Sequence, residues 1–198
     1  MQFEEIKSLI AAQCEQYGVT FHHGTGPTVE WNGVECNGYF SSGYEEVPVT
    51  LAVATNENSL DTLIHESCHM DQWHEQSPEW VDLEGNGQVW EWLSGDDTFT
   101  EEELDESVMR SYRLEVDCER RSVEKHRMWK TGVNEPEYIQ KANAYTMFYF
   151  YMRENRVWYK PGNEPYTVKD VWSNMPDTFS FNRLEWYTKT QHLFEKCI

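Results

Sequence analysis

Apolar residues in the first seventeen positions fall at Phe3, Ile6, Leu9 and Ile10, set among glutamates and glutamines. That three-to-four spacing predicts an amphipathic helix with those four side chains inward. Gly18 is placed to stop it, because glycine readily takes the left-handed conformation that closes a helix. The pattern then shortens. Strands are predicted over 19–22, 29–31 and 38–41, with a Gly24-Thr25-Gly26-Pro27 break and Asn32-Gly33 and Asn37-Gly38 as tight turns. Val47 to Thr55, rich in β-branched residues, is the best strand candidate. A helix is predicted from Asn58 or Ser59 through Leu63, Ile64, His69 and Trp73, ending at Ser77-Pro78. Residues 77–97, with Gly85, Gly87 and Gly95, read as irregular. Thr100 and Glu103 form a capping box for a long helix from Glu101 to about Lys130. Asn134 and Pro136 open another, to about Arg156, and 167–198 suggest two shorter helices parted near Met175-Pro176. A helix, a small sheet and then mostly helices, without repeat or linker, predict a single α+β domain over 1–198.

Composition narrows the function. The 198 residues are 39% hydrophobic and 26% charged, a globular balance. The net charge of -19, from 35 acidic and 16 basic residues, argues against a basic nucleic-acid surface and suits a neutral or cationic substrate. Five cysteines with no C-x-x-C pair argue for a reducing compartment. The amino-terminal stretch lacks the basic region of a signal peptide, and no apolar run approaches the roughly 18 residues of a membrane span. A cytoplasmic protein with neither nucleic acid nor membrane as partner is expected.

The chemistry concentrates at His65-Glu66-Ser67-Cys68-His69. Two histidines four residues apart lie on one helix face, about 40° apart in projection. Both can reach one metal ion, and zinc is content with neutral nitrogen ligands. Glu66 points to the side of that face, where it can serve as general base toward a metal-activated water. A catalytic zinc site needs a third protein ligand and an open position. In the long helix Glu115 and Glu119 share a face with Tyr112, Cys118 and Ser122 that looks core-directed. Two carboxylates there are costly unless a cation or hydrogen bonds compensate. A solvated acidic face is the competing reading.

Together these motifs resemble the gluzincin group of zincin metallopeptidases, in which H-E-x-x-H is followed by a helix bearing E-x-x-x-D. The resemblance rests on two short motifs. It implies a zincin-like fold, a bound zinc ion and a peptide or protein substrate. By position it implies His65, His69 and Glu115 as ligands and Glu66 as the base. Glu119 stands where the group has an aspartate that orients the first histidine, and it is longer by a methylene. In zincins an edge strand beside the active-site helix binds the substrate backbone, and Pro48–Thr55 lies just upstream.

Other ligands compete. A metzincin would need glycine at 72 and histidine at 75, where this chain has Gln72 and Glu75. His74 sits on the opposite helix face. Cys36 faintly resembles the upstream cysteine of peptide deformylases, and His126 lies three turns beyond Glu115. Cys68 and Cys118 read as small apolar side chains where two helices meet. Tyr145, Tyr149, Arg153 and His192 are candidate oxyanion donors, none assigned. The expected function is zinc-dependent peptide hydrolysis. The alternative is a non-catalytic metal-binding or protein-interaction role, with the Trp80–Trp92 segment as a lid or partner surface. A DNA-linked zincin protease is disfavoured by the charge.

Overall fold

The computed structural model describes residues 1–198. The chain is α+β, with a small amino-terminal sheet followed by a mainly helical remainder. Two compact units form: Met1–Ser77 with Arg121–Val133, and Pro78–Arg120 with Asn134–Ile198. One long helix contributes to both.

In the first unit, α1 (Phe3–Tyr17) starts where the Gln2 amide donates to the Glu5 carboxylate at 2.7 Å. It ends where Gly18 takes φ 72°, so that the Val19 N–H reaches the Cys14 carbonyl at 2.8 Å. Ile6, Ile10 and Cys14 are buried, but Leu9 is about half exposed, because the core stripe follows a four-residue step that leaves position 9 on the flank.

The sheet joins β1 (Thr20–His23), β5 (Thr50–Val53) and β4 (Gly38–Ser41) in the order β1-β5-β4, with β5 parallel to β1 and antiparallel to β4. A separate hairpin, β2 (Val29–Trp31) and β3 (Val34–Cys36), turns at Asn32 and Gly33, both at positive φ. The β-branched run at 47–55 therefore yields the central strand. It is not the substrate-binding edge that its position in sequence suggests. Leu51, Ala52 and Val53 are fully buried, as a strand paired on both sides and covered by a helix requires. The edges are β1 and β4.

The helix α2 (Ser59–Glu75) lies against β4 and β5. Its Leu63, Ile64 and Met70 pack with Ile6, Ile10, Leu51 and Val53 in one core. The contact with β4 is close at Gly38. A methyl group there would stand 2.6 Å from Thr62 Cγ2 and 2.8 Å from the Ala52 carbonyl oxygen. Gln76 at φ 52° ends α2 ahead of Pro78.

The last turns of α5 (Glu101–Trp129) complete this unit. Buried Lys125 binds Asp71 at 2.6 Å and donates to Ser67 Oγ at 2.8 Å, and Gln13 donates to Asp71 at 2.6 Å. Ser122 Oγ lies 3.5 Å from Cys68 Sγ, and Arg121 binds Glu75 at 2.8 Å. Four groups thus stitch α5 to one side of α2.

In the second unit, residues 77–97 are not wholly irregular. They form α3 (Pro78–Leu83) and α4 (Gln88–Leu93), short helices that propensity alone would not sustain. Tertiary anchoring holds them: Val89 is fully buried, and its N–H donates to Ser107 Oγ at 3.1 Å. The Thr100–Glu103 capping box is present, at 2.8 Å and 3.3 Å. The helix α6 (Glu135–Asn155) is buried nearly all round, with Met147, Phe148 and Met152 at the centre. The shorter α7 (Lys169–Trp172), α8 (Arg183–Thr190) and a closing 3-10 helix (Gln191–Cys197) pack about it. No helix is long and apolar enough to cross a membrane.

Gly38→Ala is expected to lower stability by about 1–3 kcal/mol, since the added methyl meets a carbonyl oxygen as well as a side chain. A reduced urea midpoint at unchanged slope is the signature. An unchanged midpoint would contradict the close approach of β4 to α2.

Candidate metal centre

Helical pitch brings the two histidines together. His65 Nε2 and His69 Nε2 lie 3.2 Å apart, with their rings nearly perpendicular at 86°. Two nitrogens each about 2.0–2.1 Å from a tetrahedral ion would be separated by roughly 3.3–3.4 Å. The pair is therefore set near the bite of one metal ion.

The other face of His69 is also engaged. His69 Nδ1 and Gln72 Oε1 are 2.8 Å apart, and Gln72 is fully buried. In the tautomer with its hydrogen on Nδ1, His69 would donate to the amide oxygen and carry its lone pair on Nε2, toward His65. Gln72 entered the sequence reading only as a residue that breaks the metzincin pattern. Its spacing, three residues beyond His69 on the same helix, was the available signal.

Glu66 is buried, at 8% exposure. Its Cγ lies 3.4 Å from where a Cβ on Gly38 would stand, so the base of its side chain passes the start of the edge strand β4. Cys36, two residues earlier, has its thiol pushed up to about 11 by burial, with the Glu66 charge adding to the effect. Its sulfur points to the Val29 carbonyl at 3.6 Å, within the hairpin.

The remaining histidine rivals are likewise occupied. His126 Nδ1 shares a hydrogen bond with Thr131 at 2.7 Å, and its Nε2 lies 3.6 Å from Asp61. His74 stacks on Tyr17 with ring centroids 3.5 Å apart, on the face away from His65.

The acidic pair on α5 lies within the second unit. Tyr149 donates to Glu115 Oε1 at 3.2 Å, and the Tyr149 and Tyr145 hydroxyls are 3.1 Å apart. Burial holds both phenols well above their usual range, and the Glu115 charge pushes the same way. Glu119 is buried and accepts a 2.7 Å bond from Tyr138. Arg153 is drawn off to Glu101 and Asp105.

Cys118 is fully buried on the unbroken α5, one turn before the Ser122 that meets Cys68. Two imidazoles with a thiolate or carboxylate make a donor set that suits zinc.

No family model matches the chain, nor does any curated protein or solved structure.

His65→Ala and His69→Ala are each expected to remove zinc binding in a competition titration against a chromogenic chelator, while Cys36→Ala leaves it unchanged. Zinc retained by both histidine variants would rule out the pair as the core of a metal site.

Proposed function

We propose that the protein is a zinc-dependent hydrolase, a gluzincin-like metallopeptidase in which His65 and His69 hold the metal and Glu66 is the general base. The observation that carries this reading is the 3.2 Å separation of the two Nε2 atoms, with a buried Glu66 on the adjoining position of the same helix. The α+β architecture and the placement of the pair on a helix under a sheet agree with a zincin-like fold.

Glu115 is proposed as the third ligand, on the spacing of the two motifs. Glu119, bonded by Tyr138, is proposed to support the ligands from behind. A zinc ion bound there would lower the pKa of a water and polarise a scissile carbonyl. Glu66 takes the proton from the attacking water and delivers it to the leaving amine as the C–N bond breaks. Edge strand β4 begins beside Glu66 and offers backbone groups to an extended peptide, which β-strand addition would align along the site. The charge of -19 favours neutral or cationic sequences over acidic ones.

In the alternative, a shell of four protein ligands with no open position would make the metal structural rather than catalytic. The protein would then be a metal-stabilised interaction module.

Glu66→Gln is expected to keep zinc affinity within a few fold and to abolish hydrolysis of a quenched peptide library. Activity at the wild-type level would remove Glu66 as the base. Cobalt substitution reports the ligand set. Under the hydrolase reading, Glu115→Ala loses the metal, Cys118→Ser keeps it, and no sulfur-to-cobalt charge-transfer band is seen. A band that disappears in Cys118→Ser assigns the thiolate instead.

A further inference from the structure

We propose that Gln72 is a positioning residue for the metal centre: its side-chain oxygen holds His69 in the Nδ1–H tautomer and so turns the Nε2 lone pair toward the ion. This rests on the reading of His65 and His69 as metal ligands.

A neutral imidazole carries one hydrogen on either of two nitrogens, and only the bare nitrogen can bind a metal. With the hydrogen on Nε2, His69 would present it to His65 Nε2 across 3.2 Å and could not ligate through that atom. The 2.8 Å contact between His69 Nδ1 and Gln72 Oε1 selects the other form. An acceptor opposite Nδ1 keeps the hydrogen there, and the ring is fixed in orientation as well as in tautomer.

The support is rigid. Gln72 is fully buried, and a buried amide is costly unless its polar atoms are bonded. Its own backbone is held at the end of α2, where its carbonyl accepts from Gln76 N–H and from Ser77 N–H, the latter at 2.9 Å. Residue and ligand share one helix, so the distance between them does not depend on how other elements pack.

The choice of an amide has its own chemistry. A histidine ligand is often backed by a carboxylate, which adds negative charge and makes the imidazole more basic. Gln72 supplies an acceptor without charge. In a chain of net charge -19, with Glu66 buried on the same helix, that avoids another buried anion beside the site. It also leaves the ion's charge less neutralised, which favours activation of a bound water.

The amide could serve only one way round. With its NH2 group toward Nδ1 it would donate rather than accept, and the Nε2–H tautomer would result. The two orientations therefore give opposite signatures in a measurable quantity.

The test uses the full-length chain, 15N-labelled and metal-free, with two-bond 1H–15N correlation spectra assigned through a His69 variant. The wild type is expected to show His69 as Nδ1–H. Gln72→Met, which removes the acceptor at similar volume, is expected to shift His69 toward Nε2–H and to weaken zinc binding by roughly 10–100-fold in chelator competition. Gln72→Glu restores an acceptor and should return both the tautomer and the affinity to within a few fold. Circular dichroism on each variant separates these effects from unfolding, and the rescue by Gln72→Glu keeps the test decisive if Gln72→Met folds poorly. An Nε2–H tautomer in the wild type overturns the proposal. So does a folded Gln72→Met that keeps both the tautomer and the affinity. A wild-type chain that fails to bind zinc overturns this inference and the metal reading together. One that binds zinc but cleaves no peptide overturns the hydrolase reading alone.

Discussion

The pitch of α2 is the constraint on which the rest depends. This one helix must bury an apolar side and also present a polar stripe. Leu63, Ile64 and Met70 belong to the core with Leu51 and Val53, whereas His65, Glu66, His69 and Gln72 carry the proposed chemistry. At 3.6 residues per turn the two sets interleave along the sequence and separate in space. Rotating the helix to improve one face would spoil the other. That explains why α2 is clamped so firmly. Gly38 lets β4 approach on one side, and the Lys125–Asp71–Ser67 group holds α5 on another. A buried ion pair gives little net stability of its own, but breaking one half of it is expensive, which makes it effective at fixing register.

Given that clamp, the proposed site is a short list of local relations. His65 to His69 is a four-residue step, and His69 to Gln72 a three-residue step. The two ring nitrogens meet at 3.2 Å because the helix leaves them no other spacing in these rotamers. Glu66 is carried to the edge of the stripe and under the start of β4. The arrangement costs little conformational entropy to assemble, since one rigid element carries most of it. A separate polar setting is found in the second unit. There a carboxylate, Glu115, is set beside buried phenols and takes a hydrogen bond from Tyr149. That environment is costly for a bare anion and gives it a reason to meet a cation.

Much of the element order was legible in the chain. Gly18, the Asn32-Gly33 turn, the Thr100–Glu103 box and the Asn134-Pro136 start each act through bonds a few residues long, so local sequence carries them. Leu9 and residues 77–97 were misjudged for one shared reason. Whether Leu9 faces the core depends on the angle at which α1 meets α2. Likewise α3 and α4 exist because Val89 is buried and Ser107 takes its amide hydrogen. The 47–55 run was recognised as a strand but given the wrong place, because hydrophobicity reports that a strand is buried and not which neighbours it has.

The sequence by itself determined the face proposed to bind the metal. His65, Glu66, His69 and the backing Gln72 all lie on one helix, and helical periodicity relates them without reference to anything distant. Only the tertiary structure decided which strand stands at the edge beside Glu66, that Cys36 is tied to the hairpin, and that His126 bonds Thr131. Those relations join residues far apart in the chain. They are set by which surfaces pack together, and no spacing along the sequence encodes that directly.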